Sequence, residues 1–317
     1  MTITGNDTGT LSLSSYTGNV YVTDANSYNV TLGSGNDTIY DNVVGGSVNT
    51  LAGGSGNDTY YVSEAINIVE STSGGTADTV VLQHDINFTG KTLANIEALN
   101  LGTYNATITS TQDNSFALSG TGTLTINSSG GTYDASNITG HGVTINGAAS
   151  SDTITGTSYA DTILGNGGAD TINAGAGADT FVLDFSNVSS LVSYNGGADS
   201  DTVQVNNLSS GTLDMSKFSN IETLDISTQA SSSLSMSASS LYSSADTSSH
   251  SLTMNINDSS STLVSGDSIS LSNVSTVTSG GSAASGLDST NHKWSLSAIG
   301  DYTITTTDSH TLYLHIV

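Results

Sequence analysis

Residues 160 to 181, ADTILGNGGADTINAGAGADTF, carry Ala-Asp-Thr three times at a spacing of nine, and SDTI at 151–154 adds a fourth beat. The aspartates fall at Asp152, Asp161, Asp170 and Asp179, and the unit aligns as G-G-x-G-x-D-x-U-x, where U is a large apolar residue. Ile154, Ile163, Ile172 and Phe181 hold the apolar position. The first six residues of each unit read as a tight glycine turn, because glycine accepts positive φ and close backbone approach. The last three read as a short strand whose apolar member points inward. Each nonapeptide is then half a coil. Eighteen residues close one turn of a parallel β-roll, and coils stack at ~4.8 Å.

Carboxylates eighteen residues apart fall one above another on the same edge, so Asp152 stacks with Asp170 and Asp161 with Asp179. Stacked carboxylates repel unless a cation lies between them. The backbone carbonyls of Gly165, Gly167, Gly168, Gly175 and Gly177 add oxygen donors, and no nitrogen or sulfur ligand is at hand. About six oxygens at ~2.3–2.6 Å suit Ca²⁺, whereas Mg²⁺ wants a smaller octahedron and Zn²⁺ prefers nitrogen and sulfur. Glycine-aspartate nonapeptides are a known calcium-binding repeat; the spacing adds the reason that these pairs share ions. LGSGNDTIY (32–40) and GGSGNDTYY (53–61) place Asp37 and Asp58 in the same way, with the carbonyls of Gly33, Gly35, Gly54 and Gly56. Asp7, in the partial copy TGNDTG, serves equally as an ordinary Asx turn. Asp78 and Asp201 precede Thr-Val and lack the full glycine turn, so they read as plain strand-entry turns, with capping of a calcium stack as the alternative.

A longer period overlies the nonapeptides. Asp58 is followed by GGTADTVV and LANIEALNL, and Asp179 by GGADSDTVQV and FSNIETLDI. The intervals Asp58–Asp78 and Asp78–Asn95 are 20 and 17, against 22 and 19 in the second copy. The chain therefore reads as two tandem modules, 1–125 and 126–227, followed by a Ser/Thr-rich, strand-patterned region, 228–317. Apolar residues come in short runs of period two, broken by Gly, Asn, Asp and Ser, which predicts an all-β fold. Only SSSLSMSASSLYSS (231–244) has helical spacing, and a short helix there is an open alternative.

Charge narrows the partners. The 317 residues carry 28 acids against three lysines and no arginine, a formal net charge of −25. Nucleic acid and anionic membranes need basic patches, so neither is an expected partner. Without cysteine there are no disulfides and no thiolate metal sites. The polar composition would suit a disordered chain, but the alternating apolar runs argue against that once the ligand is present. No basic and apolar leader opens MTITGNDTGT, and no apolar run approaches the ~20 residues that span a bilayer; a soluble chain is expected. There is no H-E-x-x-H and no G-x-S-x-G, and His84, His141, His250, His292, His310 and His315 are scattered, so no enzyme is expected.

At these residues the chain resembles the secreted repeats-in-toxin (RTX) proteins of Gram-negative bacteria. GGSGNDTYYV…INIVE…GGTADTVV…LANIEALNL (53–101) is similar to a module of large RTX adhesins and related S-layer proteins; the second copy is looser. The end of the chain, from NIETLDIS through KWSLSAIGDYTITTTDSHTLYLHIV, resembles the C-terminal end of such adhesins. The resemblance covers most of the chain and is weakest at 102–145. It implies a β-roll that binds several Ca²⁺ ions and folds outside the cell, exported by type I secretion machinery through an uncleaved C-terminal signal in 228–317. It also implies a bacterial cell-surface location. Only six nonapeptides are well formed, and Ser150 and Tyr159 stand where glycine is the rule, so those coils bind more weakly. Two roles fit: part of a cell-surface adhesin, or an S-layer or biofilm-matrix protein whose copies join in a calcium-bridged lattice. Ice or carbohydrate binding on threonine rows such as Thr303, Thr305 and Thr307 is a third, although alternating threonines also simply suit strands.

Overall fold

The computed structural model describes residues 1–4, 9–23, 28–41, 50–72, 74–112, 115–245, 251–258, 268–283, 285, 287–290, 293–295 and 300–316. Strands make up 54% of the described residues and helices 7%. It forms two compact units, one of residues 1–129 with 135–144 and one of 130–134 with 145–317. Each is a parallel β-solenoid, the β-roll architecture that the nonapeptide spacing predicts.

In the first unit, Thr2–Thr4, Tyr21–Thr23, Thr38–Asp41, Thr59–Val62, Thr79–Leu82, Ala98–Gly102 and Ala117–Gly120 stack in chain order as one parallel sheet. A second face carries Gly9–Ser12, Tyr28–Thr31, Thr50–Ala52, Asn67–Val69 and Leu93–Ala94. From Ile86–Asn87 onward a third run appears, continued by Ala106–Thr109 and Leu124–Asn127. The strands are short because the period-two pattern breaks after three to five residues at glycine, asparagine or serine. Their registry puts like on like: Val22, Ile39, Tyr60, Val80, Leu99 and Leu118 form one column, each 5% exposed or less. Burying such a side chain stabilises the fold by about 1.5–3 kcal/mol, and each coil buries its share only against its neighbours.

In the second unit, one face is Gly131–Asp134, Asp152–Thr155, Thr171–Ala176, Ser193–Ala198 and Phe218–Ser219. The other runs Thr162–Leu164, Thr180–Asp184, Thr202–Thr212, Thr223–Ser237, Ser251–Asp258 and Thr311–Ile316, all parallel. The predicted inward residues Ile154, Ile163, Ile172 and Phe181 are buried. Phe181 packs edge-on to Tyr194 at 5.3 Å between ring centroids, and Tyr194 packs on Phe218 at 5.4 Å. Toward the chain end the pairing turns antiparallel, with Thr311–Ile316 against Gly300–Thr306 and that strand against Val274–Ser279.

The segment 231–244 divides. Residues up to Ser237 extend the strand Thr223–Ser237, which runs through residue 228, and Ala238–Ser244 form an α-helix. The Ser237 side chain caps that helix by accepting the Ser240 N–H. Thr303 and Thr305 share one face of the strand Gly300–Thr306, but Thr307 lies past its end, where its N–H donates to the Asn273 carbonyl. These three threonines make no single flat row. Among the described residues no helix is long and apolar enough to cross a membrane.

Candidate metal centre

Each predicted aspartate stands at the last residue of a turn or the first of a strand, and the turn folds its side chain inward. Asp37, Asp58, Asp152, Asp161, Asp170 and Asp179 are all 2% exposed or less. What holds them there is a ladder running along the edge of the solenoid. The Val20 N–H donates to Asp37 Oδ1, the Asp37 N–H to Asp58 Oδ1, and the Asp58 N–H to Asp78 Oδ1, each at 2.7 Å. The Asp78 N–H completes the series on Glu97 Oε2 at 2.8 Å. In the second unit the Asp161 N–H donates to Asp179 Oδ1 at 2.7 Å, the Asp179 N–H to Asp201 Oδ1 at 2.9 Å, and the Asp201 N–H to Glu222 Oε2 at 2.7 Å. On the opposite edge the Asp152 N–H donates to Asp170 Oδ1 at 3.0 Å. Asp152 thus lies with Asp170, and Asp161 with Asp179. Each rung joins a carboxylate to the backbone of the coil before it.

Asp78 and Asp201 are more than strand-entry turns. Both are buried, at 1% and 0% exposure, and continue the ladders of Asp58 and Asp179. Glu97 and Glu222, to which the sequence analysis gave no role, close them. The signal was present as the repeated Asn-Ile-Glu of 95–97 and 220–222. Asp7 lies outside the described residues.

The ladder takes Oδ1 of Asp37, Asp58, Asp78, Asp170, Asp179 and Asp201, and Oδ2 separates the aspartates into two kinds. Asp152 Oδ2 accepts the Ala148 N–H at 2.7 Å, and Asp161 Oδ2 the Thr157 N–H at 2.6 Å. Asp170 Oδ2 receives the Tyr194 hydroxyl at 3.3 Å. In contrast, Oδ2 of Asp37, Asp58, Asp179 and Asp201 is buried with no hydrogen-bond partner among the described residues. At Asp58 the cause is visible. The Gly54 N–H, four residues back like the donors at Asp152 and Asp161, goes to Glu70 Oε2 at 3.1 Å, while the Gly53 N–H goes to Glu70 Oε1 at 2.6 Å. Glu70, 3% exposed, was also missed by the sequence reading.

A buried carboxylate without a partner is costly in its charged form. Burial pushes Asp179 up to about 8, with the Asp161 and Asp201 carboxylates adding to it against the Asp161 N–H. Asp58 and Asp201 rise to about 6 and Glu70 to about 7, each chiefly by burial. Burial also raises Asp37, Asp78 and Asp170.

The glycines explain why the turns can close. A Cβ on Gly56, at φ +124°, would stand 2.0 Å from the Gly35 carbonyl oxygen, so only glycine permits that stacking. Its neighbours follow suit: the Gly33, Gly54 and Gly175 carbonyls abut Gly54, Gly74 and Gly197 of the next coil. The glycine five residues before each of several aspartates has a second duty, since a Cβ on Gly53, Gly156 or Gly196 would lie 2.2–2.6 Å from Oδ2 of Asp58, Asp161 or Asp201. The Gly165 carbonyl and Asp152 Oδ2 both border Gly147, at 2.7 and 2.9 Å from its hypothetical Cβ. Gly167, Gly168 and Gly177 occupy left-handed turn positions, at φ +104°, +101° and +109°.

Among the described residues no three His, Cys, Asp or Glu side chains converge. A cation here would be held by carboxylates in pairs together with backbone carbonyls. The donors are all oxygen, four of them buried and unpartnered, which fits a hard cation and suits calcium. Such an ion supplies the positive charge that the edge lacks; the chain's own turns supply the orientation.

Residues 146–181 match the RTX calcium-binding nonapeptide repeat, in four copies. No curated protein and no solved structure matches the chain. The four matched copies and the parallel β-solenoid that contains them support an RTX protein, with calcium as its ion.

Proposed function

We propose that the chain is a noncatalytic, extracellular calcium-binding structural protein, part of a bacterial cell-surface adhesin, whose solenoid closes when Ca²⁺ neutralises its edge ladders. The observation that carries this reading is the set of buried carboxylate oxygens without partners at Asp37, Asp58, Asp179 and Asp201. A chain of net charge −25 repels itself in low calcium. Ions that bind only the folded state stabilise it by mass action, so binding and folding become one event. Type I export machinery is the proposed partner inside the cell, reading a signal in 228–317, and the modules 1–125 and 126–227 are the parts that calcium closes. The proposed metal ligands are Asp37, Asp58, Asp152, Asp161, Asp170 and Asp179 with the glycine-turn carbonyls.

Circular dichroism during a Ca²⁺ titration tests the reading. A calcium-dependent gain of β structure, reduced in a double Asp161→Ala, Asp179→Ala variant, is expected; no gain, or an unchanged gain in the variant, refutes it. A calcium-bridged S-layer or matrix lattice is the second reading, favoured by carboxylates left outside the ladders, such as Asp301 with a side chain 86% exposed. Electron microscopy and light scattering separate the two, since sheets or filaments that form with Ca²⁺ and dissolve in chelator support the lattice and a compact monomer supports the adhesin.

A further inference from the structure

Both ladders end in the same construction, and it lies outside the matched nonapeptides. Asn95 and Asn220 adopt left-handed backbone, at φ +57° and +55°, two residues before Glu97 and Glu222. At the aspartate rungs the N–H of one residue meets the carbonyl of the rung before, as Thr79 meets Asp58 at 2.8 Å. At the terminal rungs two do so: the Glu97 and Ala98 N–H groups share the Asp78 carbonyl at 3.1 and 3.0 Å, and the Glu222 and Thr223 N–H groups share that of Asp201 at 3.1 and 2.9 Å. The last turn is therefore offset from the stack. Glutamate, one methylene longer than aspartate, reaches across the offset to the N–H of Asp78 or Asp201.

In the second unit this turn also gathers acceptors. Asp201 is fully buried, and its Oδ2 has no hydrogen-bond partner among the described residues. That oxygen and the Asn220 carbonyl each stand 2.3 Å from where a Cβ on Gly196 would be. Two oxygens, one of them anionic and without a donor, thus flank a single glycine beside the Glu222 carboxylate. The Glu222 charge lies close enough to act on the buried Asp201 carboxyl, so the turn sets two acids side by side.

We propose that this closing turn of the second unit is a hard-divalent-cation site, formed by Asp201, Glu222 and the Asn220 carbonyl and suited to Ca²⁺. The inference rests on the reading that the ladders take calcium. It adds that the second unit's ladder ends on its own ion, one coil beyond the last glycine-aspartate nonapeptide.

The test uses the full chain and Ca²⁺ itself as probe, with equilibrium dialysis for stoichiometry and circular dichroism for folding. E222Q preserves shape and hydrogen-bond acceptor but removes the charge. It should bind one ion fewer, or bind one ion roughly tenfold or more weakly, while reaching wild-type β content at saturating calcium. Wild-type stoichiometry and affinity in E222Q overturn the proposal. Should E222Q fall short of wild-type β content, Asp201→Asn, whose amide oxygen can still accept the Asp179 N–H, decides the same question. Asp179→Asn distinguishes the levels: if it loses an ion and E222Q does not, only this inference fails, whereas a wild-type chain that binds no calcium removes the underlying reading as well.

Discussion

Replacing Asp179 with asparagine should change stability in opposite directions with and without calcium. Asp179 Oδ1 accepts the Asp161 N–H at 2.7 Å, and the Asp179 N–H donates to Asp201, so an amide oxygen can keep the rung intact. Its Oδ2 is the unpartnered atom, and the carboxyl is raised from 3.8 to about 8. The folded state holds a proton that the unfolded chain releases between those values, so stability falls as pH rises through that window. At neutral pH the charge costs about 4 kcal/mol as an upper bound, at 1.36 kcal/mol per pH unit, and about 2–3 kcal/mol once water penetration screens it. Asparagine removes that cost but leaves a buried amide N–H short of a partner, a loss of about 1–2 kcal/mol. In chelator the variant should therefore be as stable as wild type or more stable, by up to about 2 kcal/mol. In saturating Ca²⁺ it should be less stable, because an ion held at a hundred times its Kd contributes about 2.7 kcal/mol that the variant forfeits. Urea unfolding followed by circular dichroism in both conditions measures the crossover. Equal destabilisation in both would mean that Asp179 is only a hydrogen-bonding turn residue, and the cation argument would fall.

Three further outcomes are expected. The calcium-free protein should gain stability as pH falls from about 8 toward 4, the window set by Asp179 at about 8, Glu70 at about 7 and Asp58 and Asp201 at about 6; thermal melts in chelator across that range should show the slope, and Ca²⁺ should flatten it. Tyr194→Phe keeps the ring packed between Phe181 and Phe218 but removes the donor to Asp170 Oδ2, so it should cost about 1–2 kcal/mol in chelator and less in calcium, read from paired urea titrations. Gly56→Ala sets a Cβ 2.0 Å from the Gly35 carbonyl at φ +124°, and the first unit should lose about 3 kcal/mol or more even in saturating calcium, seen as a lowered melting midpoint.

Much of the site was legible because its chemistry follows a clock. Nine residues per half-coil put Asp152 over Asp170 and Asp161 over Asp179 in advance, and the apolar eighth position located Ile154, Ile163, Ile172 and Phe181 in the core. Asp78 was harder to read because its turn, Gly-Gly-Thr-Ala-Asp, departs from the glycine pattern; the ladder needs only a strand entry at the right height, which is a property of the stack. Glu70 is invisible to the repeat for a similar reason. It lies just past the strand Asn67–Val69, which pairs with Thr50–Ala52, and reaches the Gly53 and Gly54 N–H groups only once the next coil has stacked.

What the sequence determined by itself was periodic: an all-β roll, two carboxylate edges in the second module, oxygen-only ligands and the need for an outside cation, since 28 acids face three lysines. The tertiary structure decided which carboxylates carry that need. Oδ2 of Asp152, both oxygens of Asp161 and Oδ2 of Asp170 find donors within the protein, whereas Oδ2 of Asp37, Asp58, Asp179 and Asp201 finds none among the described residues. The physical reason is that a donor's availability depends on which coil abuts which. The N–H four residues back serves Asp152 and Asp161, but at Asp58 Glu70 of the next coil takes it, and at Asp170 the donor is a tyrosine 24 residues away.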